Sequence, residues 1–183
     1  MIITISGLPG SGKSTLTRAL AKKLNYPSYS MGDLRRQKAE KRGMSIAEFN
    51  KLGETDPSTD SEVDEYQEKL GKTKDNFIIE GRTSWHFIPQ SFKIFLIVNP
   101  RIGAERILKD IEGRNEGDGL KTIDDIVLSN QQRVDSDKIR YEKYFQINAY
   151  DESNYDYILD TSNLNIEQMI EAAYARIVQE LKI

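Results

Sequence analysis

Near its start the chain reads Gly7-Leu8-Pro9-Gly10-Ser11-Gly12-Lys13-Ser14, which fits the pattern Gly-x-x-x-x-Gly-Lys-Ser of a phosphate-binding loop. A β-branched run at residues 2–5 precedes it, and leucines at helical spacing follow it. The context is therefore strand, loop and helix. A glycine-rich turn before an ordinary helix is the alternative. The complete pattern and both flanks favour phosphate binding.

The residues of this loop have separate tasks in holding a nucleoside triphosphate. The glycines allow the backbone to wrap closely round a phosphate with its N–H groups pointing inward. Lys13 adds a full positive charge, and the helix that begins near Ser14 directs unpaired N–H groups at the same anion. The Ser14 hydroxyl is placed to ligate Mg²⁺. The predicted nucleotide-binding residues are Gly7, Gly10, Ser11, Gly12, Lys13, Ser14 and Thr15.

The composition limits the class of protein. The chain has 183 residues, 38% hydrophobic and 30% charged, which suits one globular domain. It has no cysteine and a single histidine, His86, so we expect any metal to be held by oxygen ligands. The net charge of −3 lacks the basic excess of nucleic-acid-binding proteins. With no long apolar run and no signal peptide, we expect a soluble, cytoplasmic monomer that binds neither nucleic acid nor membranes.

Strand-like and helix-like segments alternate along the rest of the chain. Capping boxes at residues 45–48 and 59–62 mark two helix starts. The alternation predicts an α/β fold, with a mainly parallel sheet covered by helices on both faces. Residues 33–71 are predicted to be a small helical insertion. Further strands are predicted at 28–31, 77–80, 94–98 and 157–159, and further helices at 99–113, 123–148 and 166–181.

Glu80 ends a predicted buried strand, and Gly81 and Arg82 follow it. Ligands of open α/β sheets bind at the carboxyl ends of the strands. A carboxylate at this edge could hold Mg²⁺ through water, and we favour this role over a simple ion pair with Arg82 or Lys13. Trp85 and His86 stay outside the predicted site, because an aromatic side chain beside a loop is more often part of the packing.

Four polar residues of the long helix fall on one stripe: Arg133, Asp137, Arg140 and Tyr144. Most of the apolar residues lie on a neighbouring stripe. We predict that the apolar face packs and that the polar face serves the site. A salt-bridge ladder on a solvated helix is the alternative.

The sequence resembles the nucleoside monophosphate kinases, and within them the short cytidylate kinases of archaeal type. The resemblance spans nearly the whole chain, and it is carried by Gly32-Asp33-Leu34-Arg35-Arg36, Arg42-Gly43-Met44-Ser45 and Glu80-Gly81-Arg82, beside the phosphate loop. It implies a P-loop NTPase fold with a five-stranded parallel core. The core comprises residues 1–32, 72–113 and 121–183. Residues 33–71 then form the insertion that binds the monophosphate, and residues 114–120 a short lid.

The resemblance also implies roles for individual residues. Arg36 and Arg82 clamp the monophosphate, with Asp33 in the same substrate site. Arg106 lies against the base of ATP, and Arg114 is a lid arginine on its phosphates. The spacing of Arg133, Asp137 and Arg140 is one that related cytidylate kinases use for phosphate and ribose. The implied catalytic residues are Lys13, Arg114, Arg133 and Arg140.

These features predict ATP- and Mg²⁺-dependent phosphorylation of a nucleoside monophosphate, most simply CMP or dCMP, by direct in-line transfer. UMP or AMP as the acceptor is one alternative. Another is a small-metabolite kinase in which Asp33 deprotonates an alcohol. A nucleotide-dependent switch is disfavoured, because the chain contains no Asn-Lys-x-Asp segment to read guanine.

Overall fold

A computed structural model of the protein describes residues 1–110 and 121–181. In this part of the chain five strands alternate with helices. The strands are β1 (Ile2–Gly7), β2 (Ser28–Ser30), β3 (Phe77–Glu80), β4 (Phe92–Ile97) and β5 (Tyr157–Asp160). The helices are α1 (Lys13–Leu24), α2 (Met31–Lys41), α3 (Ile46–Gly53), α4 (Ser58–Thr73), α5 (Ser84–Phe87), α6 (Pro100–Lys109), α7 (Ile123–Phe145) and α8 (Ile166–Leu181).

All five strands lie parallel in one sheet, in the order β2-β3-β1-β4-β5. This arrangement confirms the predicted α/β fold with a five-stranded parallel core. Ile5 is in register with Glu80, and Glu80 with Ser30. The carboxyl ends of the strands therefore meet at one edge, and the phosphate loop leaves β1 there.

The two faces of the sheet pack against different helices. Successive side chains of a strand point to opposite faces, so Ile3 and Ile5 join the cluster under α1 and α8, whereas Ile2 joins the cluster under α2 and α4. Every residue of β1 is buried. The β-branched run that marks β1 in the sequence thus fills the middle of the molecule.

The insertion consists of α2, α3 and α4. The capping box of α3 forms as predicted, since Ser45 and Glu48 bond each other's backbone N–H. The second predicted capping box is wrong. Helix α4 already begins at Ser58, after Pro57, and Thr59 instead donates from its hydroxyl to the carbonyl of Asp56 at 3.1 Å.

Two other predicted boundaries change. Helix α7 ends at Phe145 rather than 148, because Gln146 adopts a left-handed conformation and closes the helix. Helix α2 begins at Met31, where Ser30 caps it by accepting from the backbone N–H of Asp33 at 3.1 Å. The four-residue helix α5 was not predicted. No helix in residues 1–110 and 121–181 has the length and apolar character needed to cross a membrane.

Candidate active site

The phosphate loop crosses from β1 to α1 over the start of α6. Gly10 has φ +74°, and a Cβ there would lie 2.3 Å from the carbonyl oxygen of Gly103, so the loop needs glycine at this point. The Lys13 ammonium donates to the carbonyl oxygens of Gly7 at 3.0 Å and Leu8 at 2.7 Å. The ammonium group is therefore held at the mouth of the loop.

Glu80 faces the start of α1. Its carboxylate accepts from the Ser14 hydroxyl at 2.8 and 3.0 Å and from the Ser30 hydroxyl at 2.7 Å. The ends of β2 and β3 and the start of α1 thus bring oxygen atoms together next to the phosphate loop. Among the residues described, no three His, Cys, Asp or Glu side chains group as metal ligands. One carboxylate and one hydroxyl suit Mg²⁺, which keeps waters and takes further oxygens from phosphates.

A cleft of about 920 Å³ extends from the phosphate loop to the insertion. Its first part is lined by loop and α1 residues, and its far wall is formed by α4. Predicted site residues in the lining are Gly10, Gly12, Lys13, Ser14, Thr15, Asp33, Arg36, Glu80, Arg82, Arg106 and Arg133. Gly7 lies behind the loop instead, where a Cβ would meet the Leu96 carbonyl oxygen at 2.3 Å.

Asp33 and Arg36 form an ion pair on α2, one turn apart. Burial alone would raise the pKa of the Asp33 carboxyl, but the hydrogen bond and charge of Arg36 outweigh it and hold the pKa below its ordinary value. Asp33 is therefore a weak base. A weak base is poorly suited to deprotonate an alcohol.

A chain of buried charges lies behind the cleft. Arg82 pairs with Asp137, and Tyr150 connects the two by accepting from Arg82 Nε and donating to Asp137 Oδ2, both at 2.7 Å. Arg140 pairs with Asp137 and donates to both oxygens of Asp60 at 2.7 Å. Each buried charge is thus met by an opposite one.

This network affects the pKa values of its members. Burial alone would raise the pKa of Asp137, but Arg82 and Arg140, with Arg133, keep the pKa below its ordinary value. Burial and the neighbouring Asp137 raise the pKa of the Tyr150 hydroxyl, so Tyr150 stays a neutral donor. The network consequently holds the Arg82 guanidinium charged and in a fixed place at the edge of the cleft.

Arg106 lies on the side of the cleft opposite the insertion. Its guanidinium donates to the Thr161 hydroxyl at 3.1 Å and to the Thr161 carbonyl at 2.7 Å. The Thr161 hydroxyl in turn donates to backbone carbonyls, among them that of Ser11 in the phosphate loop at 3.1 Å. Asn165 and Ile166 line the same region. This side offers one guanidinium plane and several apolar side chains, Leu164, Ile166 and Met169.

Known proteins resemble this chain over almost its whole length. The sequence family described as "AAA domain" matches residues 3–126. The chain is 35% identical to the cytidylate kinase of Methanococcoides burtonii, over 88% of each protein. It is 34% identical to that of Methanocorpusculum labreanum, over 100% of this chain and 99% of the relative. This protein belongs to the cytidylate kinase family. It is therefore a nucleoside monophosphate kinase, and the family implies ATP as the phosphoryl donor.

Solved structures of other kinases share the fold of this protein. The crystal structure of shikimate kinase from Bacteroides thetaiotaomicron superimposes with a TM-score of 0.61 and 18% identity, covering 100% of this chain and 99% of that one. A gluconokinase from Sinorhizobium meliloti gives 0.60 at 14% identity, covering 98% and 94%. At such low identity the likeness shows the P-loop kinase fold alone.

Two of the predicted catalytic and substrate-binding residues do not face the cleft. Arg140 and Asp137 were expected to face the substrates, but both are buried, at 0% and 1% exposure, and neither is among the described residues that line the cleft. The physical reason is Asp60, which reaches Arg140 from α4. Their part in catalysis stays a prediction, as does that of Arg133, which lines the cleft. Tyr144 donates to the Gly53 carbonyl at 3.0 Å and so packs α7 against α3.

Arg114 and the predicted lid at residues 114–120 lie outside the described residues. Trp85 and His86 pack in an aromatic cluster with Tyr155 and Phe145, and neither is among the described residues that line the cleft.

Sequence reasoning missed the polar side of α4. Asp60, Asp64 and Gln67 are buried, although they are charged or polar. A signal was present, because they repeat at the same helical spacing as the buried Val63 and Leu70. Tyr150 was missed as well. Its position after α7 gives no pattern that would reveal its contact with Arg82.

Proposed function

We propose that this protein transfers the γ-phosphoryl group of ATP to CMP or dCMP, with Mg²⁺, in one direct in-line step. The observation that carries the proposal is the cleft that joins the phosphate loop to the insertion, with Arg36 and Arg82 lining it. The similarity to cytidylate kinases supports cytosine as the base of the acceptor.

The main obstacle to the reaction is charge repulsion. ATP and a nucleoside monophosphate together carry about six negative charges, and one Mg²⁺ offsets two of them. Lys13 and Arg133 are the cations we assign to the donor phosphates, and Arg36 and Arg82 those we assign to the acceptor phosphate. Guanidinium groups suit phosphate because two parallel N–H groups match two oxygens. Ser14 and Glu80 would hold Mg²⁺, which supplies charge neutralisation on the phosphates.

The acceptor needs no general base. The second pKa of a phosphate monoester is about 6, so at neutral pH its oxygen is already an anionic nucleophile. The lowered pKa of Asp33 agrees with this scheme, since it leaves Asp33 a poor base. It argues against the alternative of a small-metabolite kinase. We assign Asp33 to holding Arg36 in place.

Arg140 and Asp137 have a positioning role in this scheme, through Arg82. Arg106 would lie against the base of ATP, beside Ile166. Catalysis then rests on aligned cations that are in place before the reaction begins.

A panel of acceptors tests the proposal. CMP, dCMP, UMP, AMP, shikimate and gluconate are each incubated with the enzyme, ATP and Mg²⁺, and both ADP and the phosphorylated product are quantified. We expect the highest kcat/KM with CMP or dCMP. Faster turnover of UMP or AMP would change the assigned base, and turnover only with an alcohol would overturn the proposal.

A further inference from the structure

The far wall of the cleft carries a carboxyl group that the scheme above does not use. Asp64 lies on α4, one turn after Asp60, and lines the cleft beside Val63. It is only 9% exposed. Gln67 donates to Asp64 Oδ1 at 3.2 Å, and no described residue donates to Oδ2. One oxygen of a nearly buried carboxyl group is thus left without a donor at the wall of the substrate cleft.

The neighbours of Asp64 fix its orientation. The Gln67 amide also donates to the Thr83 hydroxyl at 3.3 Å and accepts from the Ser84 hydroxyl at 2.6 Å. With the Ser84 hydroxyl donating to the amide oxygen, the amide nitrogen is directed to Asp64. Gln67 is fully buried. The amide that contacts the carboxyl group is therefore itself held by a buried hydrogen-bond network, and recognition of one base edge requires such a positioned group.

We propose that Asp64 accepts a hydrogen bond from the exocyclic amino group of the acceptor's base, and so selects cytosine over uracil. The inference rests on the proposed function, in which the insertion holds the acceptor. Cytosine presents an amino donor where uracil presents a carbonyl acceptor. A carboxylate pairs with the donor and repels the carbonyl oxygen, so Asp64 both favours one base and rejects the other.

The charges around Asp64 make this selection depend on pH. Burial and the neighbouring Asp60 raise the pKa of Asp64 to about 7, against the opposing effect of Arg35 on α2 and Arg140 on α7. Tyr141 of α7 and Arg82 after β3 line the same cleft. Below pH 7 the neutral carboxyl group gains an O–H that can donate to a carbonyl oxygen. Selectivity for CMP over UMP should therefore be lost as the pH falls through about 7.

The test compares kcat/KM for CMP and for UMP at about pH 6 and about pH 8. The acceptor phosphate titrates near pH 6 in both substrates, so its effect cancels in the ratio. If only ionised Asp64 discriminates, the wild-type ratio should fall by up to about tenfold between pH 8 and pH 6. Asp64→Asn, whose amide can present either a donor or an acceptor, should show a ratio lower by about tenfold or more at pH 8 and independent of pH.

Asp135→Asn is the matched control, because Asp135 is an exposed carboxylate on α7 away from the cleft. It should keep both the ratio and its pH dependence. Binding calorimetry in buffers of different ionisation enthalpy gives a second measurement. CMP should displace a proton from wild-type Asp64 near pH 6.5, and this proton release should be absent in Asp64→Asn.

The outcomes separate the two proposals. A wild-type enzyme that phosphorylates no pyrimidine monophosphate would overturn the proposed function, and this inference with it. An enzyme that prefers CMP, with the same ratio and the same pH dependence in Asp64→Asn, would overturn the role of Asp64 alone.

Discussion

Lys13 carries the positive charge of the phosphate loop. Its ammonium group contacts two carbonyl oxygens of the loop, at 3.0 and 2.7 Å. Phosphate oxygens are stronger acceptors than carbonyl oxygens because they are charged. A bound triphosphate would therefore draw the ammonium group from these two backbone carbonyls to itself.

We predict that Lys13→Ala lowers kcat/KM by about a thousandfold or more, because the cation acts on charge that develops in the transition state. The free energy of unfolding should change by only about 1.5–3 kcal/mol, the usual contribution of a hydrogen bond that involves a charged group. Steady-state kinetics and urea denaturation measure the two effects. Lys22→Ala, at an exposed position of the same helix, is the control and should change neither. Unchanged turnover in Lys13→Ala would remove the phosphate-loop assignment.

Helix α7 is one element that connects the insertion to the rest of the molecule. Tyr144 and Lys143 donate to carbonyl oxygens at the end of α3, at 3.0 and 2.8 Å. Arg140 reaches Asp60 on α4. A Cβ on Gly53 would lie 2.9 Å from Arg140 Cδ, so α3 and α7 approach closely at this glycine. The helix thus holds α3 and the α4 wall of the cleft in place.

We predict that Arg140→Ala lowers the free energy of unfolding by about 3–5 kcal/mol, because it leaves Asp60 and Asp137 buried beside one fewer positive charge. Lys72→Ala is the matched control. It breaks an exposed ion pair with Glu68 at i,i+4 spacing on α4, and should cost about 0.5 kcal/mol or less. Urea denaturation of both variants gives the comparison. Equal losses would show that the Arg140 network contributes no more than a surface pair.

Elements whose pattern is local could be predicted from the sequence. The phosphate loop, β1 and α1 follow from adjacent residues, and the capping box of α3 from four residues. The predicted start of α4 was wrong, because the helix already begins after Pro57, before the expected cap. The burial of Arg140 could not be predicted, since its partner Asp60 lies 80 residues away in the chain and only the fold brings them together. A polar stripe on a helix does not show which carboxylate will meet it.

The whole molecule has the form of a core with a helical insertion across a cleft. Closure of such a cleft excludes water that would otherwise hydrolyse ATP. We predict that a bisubstrate analogue, with cytidine joined to adenosine through a chain of phosphates, slows amide hydrogen exchange in α2 and α4. Mass spectrometry with and without the analogue measures the effect. Strand β4, which is remote from the lining of the cleft, is the internal control. The same exchange rates in α2 and α4 in both samples would contradict closure.

The stability of the whole molecule should depend on Asp64. The unfolded chain loses this proton near pH 3.8, whereas the folded protein keeps it up to about pH 7. Between these values the folded state binds more protons, so this group lowers stability as the pH rises. A unit of pKa corresponds to about 1.4 kcal/mol, so the cost above pH 7 is at most about 4 kcal/mol.

Asp64→Asn removes that cost and keeps an oxygen for Gln67. We therefore predict a melting temperature higher than wild type by about 5 °C or more at pH 8, a difference that shrinks as the pH falls towards about 4. Asp137 has the opposite effect, since its pKa is lowered and its stabilising charge is lost only in acid. Thermal unfolding of wild type, Asp64→Asn and Asp135→Asn across this pH range measures the effect. If Asp64→Asn and wild type have the same melting temperature at every pH, ionisation of Asp64 costs the folded protein no free energy. The selectivity for CMP over UMP would then not vary with pH near neutrality.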